Sequence, residues 1–107
     1  QNEAAVVDSI SINPDWLSWA GALNPGEQKS IYVTASGSWT ATVTSDPNEI
    51  VTAYTPSGSG SGTAYITVNN TATKSARYAQ ITYTRGSAST VLYLCISGVI
   101  KGICLVG

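Results

Sequence analysis

Histidine is absent from the 107 residues, and so is methionine. Without histidine there is no imidazole for acid–base work, no Ser-His-Asp triad and no histidine-ligated zinc. Charge is scarce as well: Asp, Glu, Lys and Arg make up 10% of the chain, against about 25% in an ordinary soluble domain. The two signs nearly cancel to a formal net charge of −1, so no basic field gathers nucleic acid or anionic lipid. No apolar run approaches the roughly 18 residues of a membrane-spanning helix. No charged segment followed by an apolar one opens the chain, and its first residue is Gln1. The expectation is a processed or trimmed end, as export would leave. Carboxylates are few. Apart from Asp8 and Asp15, Asp46 and Glu49 are the closest pair, and a glycosidase needs two carboxylates opposed across a cleft. Two acids beside a Pro turn solvate a loop instead, so no enzymatic activity and no cofactor is expected.

What is abundant favours pleated sheet: Val, Ile, Thr and Tyr, with Ser and Thr in the place of Lys and Glu. The stretch that organises the rest is Ser36-Gly37-Ser38-Trp39-Thr40-Ala41-Thr42-Val43-Thr44. Trp39, Ala41 and Val43 share one face and the threonines the other, which is the period of a half-buried strand. Covering an indole from that strand calls for a second sheet opposite. Similar alternation places Ile31, Val33, Ile66 and Ile81 in the same core, with Leu17 and Trp19 contributed by Trp16-Leu17-Ser18-Trp19. Turn signals stand at Asn13-Pro14-Asp15, Asn24-Pro25-Gly26, Asp46-Pro47-Asn48 and Arg85-Gly86-Ser87. Residues 57–62, Ser-Gly three times over, look like a linker in isolation. Strand pattern on both sides makes them a Gly-lined turn inside the domain. Residues 90–96 are apolar on both parities, the pattern of a strand covered on both faces. The total is seven to nine short strands with turns every 8–12 residues, an all-β, antiparallel two-sheet sandwich of immunoglobulin type in a single domain 1–107.

The run from Ile10 to Ser97 resembles the BACON modules, immunoglobulin-like sandwiches of exported Bacteroidetes proteins. Five elements carry the resemblance in order: Ile10-Ser11-Ile12-Asn13-Pro14, Leu17-Ser18-Trp19, Ser38-Trp39-Thr40, Ser57-Gly58-Ser59-Gly60, and Asn70 with Arg77 ahead of Ile81-Thr82-Tyr83. The chain departs from the pattern at Glu49-Ile50-Val51, where a second aromatic is usual, and in the apolar segment after Ser97. The resemblance implies an extracellular or cell-surface module, often placed beside carbohydrate-active domains.

Several side chains are candidates for binding. Trp16 is out of phase with Leu17 and Trp19 and sits beside a turn, so its indole is free to stack on a sugar ring. Tyr54, Tyr65 and Tyr78 also fall on outward parity, and the four aromatics could form one carbohydrate platform; the alternative is ordinary cross-strand pairing. Asp46, Asn48 and Glu49 are a weak calcium candidate beside the simpler reading of an Asx turn. Cys95 and Cys104 lie nine apart across a turn bracketed by Gly98 and Gly102. Paired as a hairpin they could form a disulfide in an exported protein; otherwise they are two buried thiols. The extra strand in 99–107 is expected to pair within the chain, with self-association by strand addition as its alternative use. The functional expectation is a non-catalytic accessory module, spacer or weak carbohydrate binder. A self-assembling fibre, pilus-like filament or phage appendage subunit is the alternative.

Overall fold

The computed structural model describes residues 7–20, 28–47, 49–69 and 77–97. These hold nine strands and no helix: β1 (Ile10–Asn13), β2 (Trp16–Ala20), β3 (Gln28–Ala35), β4 (Ser38–Ser45), β5 (Val51–Tyr54), β6 (Ser57–Ser59), β7 (Gly62–Val68), β8 (Arg77–Arg85) and β9 (Ala88–Ser97). Four form one sheet in the order β1-β3-β7-β5; five form the other in the order β2-β9-β8-β4-β6. Between them lies one apolar core. It contains Leu17, Trp19, Ile31, Val33, Trp39, Ile66 and Ile81, joined by Ile50, Tyr83, Leu92 and Leu94. The architecture is an immunoglobulin-like β-sandwich. No helix among the described residues is long and apolar enough to cross a membrane.

The sheets are not wholly antiparallel, which corrects the expectation. β1 pairs antiparallel with β3, but β2 pairs parallel with β9, Trp16 opposite Tyr93 and Trp19 opposite Ile96. Asn13-Pro14-Asp15 carries the chain from one sheet to the other without reversing it, and the Asp15 carbonyl accepts the Tyr93 N–H at 3.0 Å. A sheet change needs no long crossover, so a parallel neighbour arises here without a helix.

Trp39 is 4% exposed. Its ring meets Tyr83 at 5.7 Å between centroids with the planes tilted by 52°. On the other side lies the Ser-Gly run, which the structure turns into β6 and a tight return: Trp39 pairs with Gly58, and the indole Nε1–H donates to the Gly60 carbonyl at 3.1 Å. A Cβ on Gly58 would collide with the six-membered ring of the indole, so glycine is what lets the backbone close over Trp39. The apparent linker is the lid of the core.

Two predictions follow from this packing. Trp39→Ala should cost about 3–5 kcal/mol, the range for emptying a buried aromatic site. Gly58→Ala should cost about 1–3 kcal/mol by overpacking, while the same change at Gly62, where an added Cβ meets nothing within 4 Å, should cost less than about 1 kcal/mol. Urea midpoints of the three variants check the order.

Candidate functional site

The four aromatics expected to form one platform do not come together. Trp16 and Tyr78 stand on the outer face of the five-stranded sheet, Tyr65 on the outer face of the four-stranded one. Tyr54 is not outward: it packs against the core. The cause is a bulge in β5. Val51 faces Val68, but Ala53 already faces Thr67 and Tyr54 faces Ile66. One extra residue flips the parity of everything after it, so Ala53 turns out and Tyr54 turns in.

A different aromatic group takes the place of the platform. Trp16 and Tyr93 are register partners on β2 and β9, with Gln80 next across on β8. Their separation is the strand spacing, about 4.8 Å. Tyr78 faces Cys95 and so lies diagonal to Tyr93, within about 7–8 Å. Trp16, Tyr93 and Tyr78 are 38%, 41% and 40% exposed. Sequence reasoning missed Tyr93 because β9 looked covered on both faces; its outer parity is open at Tyr93 and closed at Cys95, which is fully buried. Among the described residues no cysteine is free. Cys104, the expected partner of Cys95, lies outside the described residues, as do Asn70 and the strand expected over 99–107.

Asp46 and Asp8 serve the backbone. Asp46 accepts the Ile50 and Val51 N–H groups at 2.8 and 3.0 Å, and its carbonyl accepts the Glu49 N–H at 3.1 Å. These are the bonds of an Asx-type loop; Glu49, at φ 55°, is exposed, and Asn48, the third of the calcium candidates, lies outside the described residues. Asp8 accepts the Ser87 N–H at 3.1 Å and stands 3.7 Å from Arg85 Nε. Gly86, at φ +57°, leaves room for that carboxylate where a Cβ would collide with it. Arg77, nearly buried, donates to the Asn69 carbonyl at 3.5 Å and ties β8 back to the end of β7.

The titration of Tyr83 is displaced by its surroundings. Its phenol is pushed up to about 12, by burial first and by the neighbouring Tyr54 phenol second. Its hydroxyl has no hydrogen-bond partner among the described residues.

No family model matches the chain, and no curated protein matches it. Solved structures do. A Bacteroides ovatus GH5 xyloglucanase, solved in complex with a XXXG heptasaccharide, superposes with a TM-score of 0.69 at 17% identity over 84% of this chain. Domains 4 and 5 of the S-layer protein SbsC give 0.57 at 23% identity over 87% of this chain and 53% of theirs. WR4, a C. elegans MSP family member, gives 0.52 at 14% identity, over 84% of this chain and 97% of its own. The chain spans only 19% of the xyloglucanase chain. Identities this low show a shared fold alone, that of a two-sheet β-sandwich.

Tyr83 yields a prediction with a definite sign. In the unfolded chain the phenol ionises near pH 10; in the folded chain it holds its proton to about pH 12. The stability tied to this group is therefore full below pH 10 and is lost as pH rises to about 12, to the extent of roughly 2–3 kcal/mol. Tyr83→Phe should flatten that part of the alkaline decline. At pH 7 it should be neutral or stabilising by up to about 1 kcal/mol, because it removes a buried hydroxyl without a partner. Urea unfolding from pH 8 to pH 12 of both proteins is the measurement.

Proposed function

We propose that this chain is a non-catalytic accessory module of an exported surface protein, a spacer of BACON type with a weak carbohydrate-binding face. What supports the spacer role is the distance between the two ends of the described sandwich. Asp8 enters beside the β8–β9 turn, against Arg85 and Ser87. β9 starts at that turn and runs ten residues to Ser97 at the opposite end. Asp8 and Ser97 are thus about 30 Å apart along the strands. Segments attached at those two points are held apart by the length of the sandwich. The likeness to one-fifth of a xyloglucan-degrading enzyme and to S-layer domains supports a surface protein as the setting. The BACON reading draws further support from the use the structure makes of the Ser-Trp-Thr and Ser-Gly-Ser-Gly elements, which meet in one contact around Trp39.

The glycan face is the Trp16–Tyr93 pair with Tyr78 diagonal and Gln80 alongside. Neighbouring rings present flat apolar surface to a pyranose, and the amide supplies both a donor and an acceptor. Dyes placed at positions 7 and 97 should report a separation of about 30 Å; ends less than about 15 Å apart would end the spacer reading. Titration with the XXXG heptasaccharide should give binding weaker than about 0.1 mM that falls at least fivefold in Trp16→Ala and in Tyr93→Ala. A full titration with no signal leaves the spacer role alone.

Export also implies the Cys95–Cys104 bridge, which would pin the C-terminal segment to β9. Thiol titration of the unfolded, unreduced chain should then find no free thiol. The S-layer likeness favours a second reading, assembly through strand addition by residues 99–107. Gel filtration separates the two: a spacer runs as a monomer, and an assembling subunit runs as larger species that disappear when 99–107 is removed.

A further inference from the structure

The outer face of the four-stranded sheet carries an open depression of about 270 Å³, lined by Gln28, Ala53, Tyr54, Thr55, Tyr65 and Thr67. We propose that this depression is a second carbohydrate subsite, which takes one neutral pyranose ring against Tyr65. It extends the carbohydrate part of the reading above but stands on different residues, on the opposite side of the sandwich from Trp16.

The β5 bulge builds the site. By turning Ala53 outward it places the smallest side chain of the group in register with Thr67, which is itself in register with Gln28 on β3. That row forms the floor. The next row supplies the wall: Thr55 donates its N–H to the Tyr65 carbonyl at 3.0 Å, and Tyr65 returns its own N–H to Thr55 Oγ1 at 2.9 Å. These bonds fix the backbone that carries Tyr65, whose side chain is exposed (47% for the residue). Since Thr55 Oγ1 already accepts a backbone proton, its O–H is the donor it offers outward.

The chemistry selects the ligand. Every lining side chain is neutral, so a phosphate or carboxylate would be desolvated without a counter-charge. A sugar ring has one apolar face to lay on an aromatic ring, and edge hydroxyls for which the Gln28 amide and the Thr55 and Thr67 hydroxyls supply donors and acceptors. The volume falls below the roughly 300–1,000 Å³ of pockets that enclose drug-sized ligands, which fits a single ring rather than an oligosaccharide. So small a ligand binds at about the millimolar level.

The test is an amide-resolved NMR titration of the 107-residue chain with methyl β-D-glucopyranoside to about 50 mM. The expected result is saturable shifts at Ala53, Thr55, Tyr65 and Thr67, with a midpoint of their own whatever happens at Tyr93. Ala53→Phe, which fills the depression from an exposed position, should abolish them. Tyr65→Ala should weaken binding at least fivefold, and Trp16→Ala should leave it unchanged. Thermal melts confirm that each variant folds. The proposal is overturned by an absence of shifts at these four residues, or by shifts that survive Ala53→Phe. If heptasaccharide binding still depends on Trp16 in that event, the accessory reading stands and only this subsite falls.

Discussion

The enclosure of one indole between a tyrosine ring and a glycine is the constraint on which the sandwich depends. Trp39 belongs to β4, Tyr83 to β8 and Gly58 to β6, so a single contact joins three neighbouring strands of the five-stranded sheet. The Nε1–H bond to Gly60 satisfies the only polar atom of a side chain that is otherwise out of water. Removing any side of this enclosure exposes apolar surface or leaves a donor unpaired, and both are costly in an interior packed to crystal density.

That enclosure also sets the path of the chain. β5 lies in the four-stranded sheet and β6 in the five-stranded one, so the chain crosses between sheets at Thr55-Pro56 in order to bring the glycines over Trp39. The Ala41 N–H donates to the Pro56 carbonyl at 2.8 Å and fixes the crossing. On the way, the bulge in β5 re-aims Tyr54 inward beside Tyr83 and Ala53 outward. The interior and the outer face of the four-stranded sheet are thereby coupled: the same extra residue that brings a second phenol towards the core opens the depression beside Tyr65.

Several charged side chains of the described residues are engaged with the backbone. Asp8 and Asp46, the best placed acids of the described chain, accept backbone N–H groups at 2.8–3.1 Å, and Arg85 and Arg77 are drawn into turns and strand ends. What faces solvent is hydroxyl-rich sheet with a few aromatic rings on both sides. Such a surface is the ground on which the proposed weak stacking contacts with neutral ligands rest.

Alternation along the chain sufficed to place Leu17, Trp19, Ile31, Val33, Trp39, Ile66 and Ile81 in one core, because side-chain direction in a strand repeats every two residues regardless of what the strand pairs with. The same rule separated Trp16 from its neighbours and placed Tyr65 and Tyr78 outside. It failed at Tyr54, where parity is reset by a bulge that depends on the partner strand, and at Tyr93, where a doubly apolar strand hides which face is covered. The parallel pairing of β2 was equally beyond it, since pairing direction depends on where the chain changes sheet and not on the composition of either strand. Periodicity is local and was therefore written in the sequence; register, bulges and the grouping of exposed rings into faces are relations between distant strands, and only the folded sandwich decided them.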